Sequence, residues 1–134
     1  MKVQGGCHCG QISYEAEIDP EKVGVCHCTD CQTLTGTAFS TFVPVPKAQF
    51  HLRGEPRIYI KTAESGSKRA QGFCPECGTR IYASAAVDPQ FFNLRTGTMR
   101  ERAALRPKMQ VWCRSALPWA MDLRAVSQVA KQAS

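Results

Sequence analysis

Residues 7–18 read Cys7-His8-Cys9-Gly10-Gln11-Ile12-Ser13-Tyr14-Glu15-Ala16-Glu17-Ile18, and two patterns meet in them. Ile12, Tyr14, Ala16 and Ile18 alternate with Gln11, Ser13, Glu15 and Glu17. That is the period of a strand with one buried and one solvated face. Immediately before it, two cysteines stand one residue apart. Further strand-sized runs lie at residues 37–45, 57–61, 80–83, 91–95 and 109–113, and Pro44 and Pro46 push the first of these toward a sheet edge. Asp19-Pro20, Glu55-Pro56, Ser65-Gly66-Ser67 and Asp88-Pro89 supply turns between them. Short strands at this spacing predict an antiparallel, mostly-β domain rather than βαβ units. Helix is limited to one turn over residues 29–34 and a weak amphipathic tail over residues 120–131.

The chain has 134 residues, the size of one domain, here taken as residues 1–134. Its 43% hydrophobic and 21% charged residues allow a packed core and exclude a disordered chain. No uncharged apolar stretch approaches the roughly 20 residues of a membrane span, so no membrane partner is expected. The first residues, Met1-Lys2-Val3-Gln4, lack an apolar export segment, which leads us to expect a cytoplasmic protein.

Eight cysteines then need a reason other than disulfides. Seven fall in three clusters: Cys7-His8-Cys9, Cys26-His27-Cys28-Thr29-Asp30-Cys31 and Cys74-Pro75-Glu76-Cys77. Cysteines one residue apart close a disulfide badly but can both face one tetrahedral metal. Cys74-Pro75-Glu76-Cys77-Gly78 has the shape of a zinc knuckle, its glycine suited to the positive φ of such a turn. A knuckle supplies two ligands and a structural zinc takes four. Giving it Cys26 and Cys28 would strand Cys31; giving it Cys7 and Cys9 leaves no remainder. The economical partition is a closed site of Cys7, Cys9, Cys74 and Cys77 and a three-cysteine site of Cys26, Cys28 and Cys31. A closed site is structural, whereas three ligands and an open fourth position mark a catalytic zinc. Seven thiolates and two zinc ions would also lower the formal charge from +6 to about +3. With basic residues scattered, a nucleic-acid partner is not expected.

These residues, Gly5-Gly6-Cys7-His8-Cys9-Gly10, Cys26-His27-Cys28-Thr29-Asp30-Cys31-Gln32 with Thr35-Gly36-Thr37-Ala38-Phe39, and Gly72-Phe73-Cys74-Pro75-Glu76-Cys77-Gly78-Thr79, closely resemble the glutathione-dependent formaldehyde-activating enzyme family. The same family includes the vertebrate centromere protein V. The likeness runs from about residue 5 to Leu117-Pro118-Trp119, leaving residues 120–134 as a tail. It implies a zinc-containing β fold of the type shared with methionine-R-sulfoxide reductases, and the same partition into two zinc sites. It also implies a carbon–sulfur lyase that joins or splits glutathione and formaldehyde, its thiol bound at the open zinc of Cys26, Cys28 and Cys31. The alternative is a non-catalytic zinc-stabilised module that binds glutathione, another thiol or a protein partner. Three positions depart from the family. Gln110 precedes Val111-Trp112 where the family often has His, Arg100-Glu101 replaces an acidic pair, and Gln71 stands where Arg is common.

The remaining residues carry plainer expectations. Cys113 is expected to be a small buried residue rather than a fourth ligand. His8 and His27, set between cysteines, should turn their rings away from a metal, and His51 should be a solvated strand residue. Trp112, Trp119, Phe91 and Phe92 are expected in the core. Arg53, Arg57, Arg69 and Arg95 could bind the carboxylates of a glutathione-like ligand, with Arg69 the first choice, although any single one of them reads first as a plain surface charge.

Overall fold

A computed structural model describes residues 1–132. Ten strands and one α-helix make it mostly β: β1 (Lys2–Gly6), β2 (Ser13–Glu17), β3 (Gly24–Cys26), α1 (Thr29–Thr35), β4 (Ser40–Pro46), β5 (Phe50–Arg53), β6 (Arg57–Thr62), β7 (Lys68–Phe73), β8 (Arg80–Ala85), β9 (Phe91–Arg95) and β10 (Met109–Val111). They form a three-stranded sheet, β1-β2-β5, and a seven-stranded sheet, β10-β3-β4-β9-β8-β7-β6. All pairs are antiparallel except β10 with β3, where Met109, Gln110 and Val111 lie parallel to Gly24, Val25 and Cys26. No helix among the described residues is long and apolar enough to cross a membrane.

The alternation in residues 12–18 does what it predicts. Ile12, Tyr14, Ala16 and Ile18 are buried, and their polar neighbours are exposed. They face Val43, Val45, Ile81, Tyr82 and Leu94 of the larger sheet, so the core lies between the two sheets. Phe50 ties the layers together, its ring packed against Tyr14, Tyr82 and Phe92 at centroid distances of 5.6, 6.0 and 5.1 Å.

The small sheet also fits closely around Gly5. A β-carbon there would lie 2.3 Å from the Tyr14 ring and 2.7 Å from the Thr98 carbonyl oxygen. The Tyr14 hydroxyl meanwhile bonds Thr98 Oγ1 at 2.7 Å, so the ring is not free to yield. We expect Gly5→Ala to destabilise the fold by roughly 1–3 kcal/mol, the usual penalty of overpacking. Chemical denaturation checks this, and an unchanged midpoint would contradict it.

Several expectations are corrected. Residues 122–132 form no helix: only the 3₁₀ turn Pro118–Met121 precedes a tail whose Leu123, Val126 and Val129 are exposed. With no apolar face to dock on, a short amphipathic segment gains nothing from coiling. Cys113 is exposed, because β10 ends at Val111 and a 3₁₀ turn carries Cys113 outward. Trp112, Trp119 and Phe91 are 45%, 60% and 60% exposed, and of the four aromatics only Phe92 packs on the core. His51 is a solvated strand residue, as read.

Candidate metal centres

The four-cysteine cluster joins the sheets. Cys7 and Cys9 lie in the turn after β1, and Cys74 and Cys77 in the turn between β7 and β8. Both turns close on backbone bonds, Cys7 N–H to the Ile12 carbonyl and Cys74 N–H to the Thr79 carbonyl, each at 2.9 Å. Gly78 takes φ = 78°, the left-handed conformation that the knuckle needs. The four sulfurs lie within 4.8 Å of one another. Cys7 and Cys9 are 3.6 Å apart, Cys9 and Cys74 3.7 Å. Sulfurs about 2.3 Å from a tetrahedral zinc would be separated by about 3.8 Å, so the donor set fits that ion. The Ile12 N–H donates to Cys7 Sγ at 3.2 Å. A hydrogen bond from the Thr79 hydroxyl, helped by backbone N–H groups, lowers the Cys77 thiol to about 5.

The second cluster is local. Cys26 ends β3, Cys28 caps α1 and Cys31 lies in its first turn. Cys28 Sγ accepts the Cys31 N–H at 3.2 Å, so one atom is both helix cap and candidate ligand. These three sulfurs also lie within 4.8 Å of one another. Hydrogen bonding from Cys26, with further help from Cys28, Ser40 and the Arg95 charge, lowers the Cys31 thiol to about 5, while the bond to Cys31 and burial push the Cys26 thiol up. All eight cysteines are free thiols. Cys113 belongs to neither cluster.

Both intervening histidines turn away. His8 is exposed, and His27 is wholly buried with its Nε2–H donating to Gln110 Oε1 at 2.8 Å. Gln110, one of the departures from the family pattern, therefore holds His27 in place.

What distinguishes the triad is the space beside it. A cleft of about 830 Å³ opens on Cys26, Cys28 and Cys31, floored by the seven-stranded sheet and walled by Trp112 and Arg114. Its wall is tied down: Gln32 Nε2 donates to the Ser115 carbonyl at 3.0 Å, and Arg114 makes two 2.8 Å bonds to Glu64. Arg69 and Arg95 line the cleft; Arg57 is an exposed residue of β6, and Arg53 borders a separate small depression. Lys61 also lines it but is paired with Asp30 at 2.9 Å. Arg69 makes no ion pair among the described residues. Neither Trp112 nor the Arg114–Glu64 pair was expected in this place. They come together only through the parallel pairing of β10 with β3, which no local pattern announces.

The model of the glutathione-dependent formaldehyde-activating enzyme family matches residues 2–115. The chain belongs to that family. An uncharacterized lyase of Schizosaccharomyces pombe is 28% identical over 92 residues, covering 67% of this chain and 64% of the relative's length. A crystal structure of a Rhodobacter sphaeroides protein superposes with a TM-score of 0.61 at 16% identity, covering 81% of this chain and 99% of that one. That likeness shows a shared fold.

Proposed function

We propose that the protein is a zinc-dependent carbon–sulfur lyase. It forms or splits the adduct of a small thiol such as glutathione with an aldehyde such as formaldehyde. The observation that carries this reading is the contrast between two cysteine clusters in a chain of this family: four sulfurs gathered between two turns, and three that open onto a large cleft. In this reading Cys7, Cys9, Cys74 and Cys77 hold a structural zinc, and Cys26, Cys28 and Cys31 hold a second. A zinc bound by three thiolates supplies a soft position that accepts a thiol in its deprotonated form. A reducing compartment such as the cytoplasm suits eight cysteines that form no disulfide.

The chain's own residues do the rest. Arg69, half-buried and without an acidic partner among the described residues, takes a carboxylate of the thiol substrate by a charge-assisted hydrogen bond. Asp30 and Glu64 are committed to Lys61 and Arg114, and His27 to Gln110, so solvent takes up the thiol proton. The sulfur pair forms the C–S bond to the carbonyl carbon, the C=O π pair moves to oxygen, and oxygen takes a proton. The reverse splits the bond. The lyase named among the relatives is consistent with this direction of chemistry.

The test has two arms. Glutathione should bind, and S-methylglutathione, which has no thiol proton to lose, should not; equal binding of the two would refute the thiol site. Adduct formation should also exceed the spontaneous rate. If glutathione binds without acceleration, the protein is a thiol-binding module and not an enzyme. Within the same assay we expect Arg69→Met to weaken glutathione by roughly tenfold. Binding of 2-mercaptoethanol, which has no carboxylate, should not change. Equal loss of both would show that Arg69 supports the fold and not the substrate.

A further inference from the structure

Arg95 occupies an unusual position for a guanidinium. In the seven-stranded sheet Ser40 of β4 pairs with Cys26 of β3, and Phe42 of β4 pairs with Arg95 of β9. Directly opposed residues share a face, as do residues two apart. Cys26, Ser40, Phe42 and Arg95 therefore share one face of the sheet, and Cys26, Phe42 and Arg95 line the cleft. Arg95 Nη1 donates to Ser40 Oγ at 3.4 Å, and its Nε is buried without a partner among the described residues. The acids of the cleft are taken: Asp30 by Lys61 and Glu64 by Arg114. What faces Arg95 is the cysteine triad.

A part-buried cation with a buried Nε and no carboxylate partner among the described residues is costly to keep. Burial and the nearby Arg69 lower the pKa of Arg95, and the thiols of Cys31, Cys26 and Cys28 oppose that shift. Arg80, half-buried over the Phe73 ring at 5.8 Å, also repels Arg95. Two guanidiniums that line one cleft, with a third near enough to repel one of them, are tolerated only against negative charge. The triad supplies it. Three thiolates and a divalent ion sum to one negative charge, and a captured thiolate adds another. Three thiolates also quench most of the pull that the ion alone would exert on that fourth sulfur. A fixed cation beside the triad restores it.

We propose that Arg95 is a positioning residue that holds the counter-charge of the Cys26–Cys28–Cys31 centre, so that its open position favours an anionic sulfur over a neutral ligand. The proposal rests on the reading of the triad as a thiol-capturing metal site, and its test separates the two. Protein loaded with cobalt(II) is titrated optically with 2-mercaptoethanol, an anion when bound, and with imidazole, a neutral ligand. The comparison is among wild type, Arg95→Gln, which removes the charge, and Arg95→Lys, which keeps it.

We expect Arg95→Gln to lose about tenfold in affinity for the thiol while imidazole changes by less than about twofold, and Arg95→Lys to stay near wild type. Equal loss of both ligands, or loss of neither, overturns the proposal. So does failure of Arg95→Lys to fold alongside Arg95→Gln, because shape rather than charge would then be what matters. If wild type takes up neither probe, the thiol-capture reading fails, and Arg95 is judged by cobalt retention instead. A loss of about tenfold in Arg95→Gln alone would support the counter-charge, and equal retention in all three proteins would overturn it.

Discussion

Cys74→Ser and Cys7→Ser should each yield protein that does not reach a stable fold. A structural zinc contributes on the order of 10 kcal/mol to folding in small zinc domains. That is about the whole stability of a typical domain. The effect is large here because the four-cysteine cluster joins the turn after β1 to the turn between β7 and β8, and so one sheet to the other. Cys74 is fully buried and both Cys7 and Cys77 pack on the core, so a serine would also leave a hydroxyl in an apolar seam. Thermal unfolding with metal content per chain is the measurement. A soluble Cys7→Ser protein that melts like wild type would remove the structural role from this cluster.

Cys28→Ser should behave in the opposite way. Metal content should fall from two ions per chain to one and glutathione binding should disappear, while most of the stability remains. The triad spans six residues of one strand end and one helix turn and ties no distant segments together. Serine is itself a good helix cap, so the bond that Cys28 Sγ accepts from the Cys31 N–H has a ready substitute. Elemental analysis, a melting curve and a glutathione titration on one sample would check all three parts. Retained glutathione affinity would move the thiol site away from the triad.

The contrast between those two substitutions was legible in the sequence because it depends on spacing alone. Three cysteines within six residues can share a metal without help from the rest of the chain, and a knuckle must find its partners elsewhere. The alternation in residues 12–18 was equally plain, since one face meets the core and the other meets water. What could not be read were the elements whose reasons are tertiary. β7, Lys-Arg-Ala-Gln-Gly-Phe, carries few strand-forming residues yet is held between β6 and β8 and buries Gln71. β1 has Val3 as its one large apolar residue, and that residue is completely buried. Arg95 looked like any other surface charge, because its place under the triad depends on the register of β4 between β3 and β9. Trp112 was misjudged for a related reason. It takes φ = 58°, turns the chain out of β10 and stands at the rim of the cleft instead of in the core.

The parallel pairing of β10 with β3 has a consequence in time. The triad leaves the ribosome before the strand that walls its cleft, which is made about 85 residues later. At ordinary rates of synthesis that interval is on the order of ten seconds. Throughout it the three thiols are near one another in sequence and lack the wall that Trp112 and Arg114 later provide. An ion bound by the triad in that interval would be chosen by what the nascent chain meets, before the finished cleft could discriminate among metals.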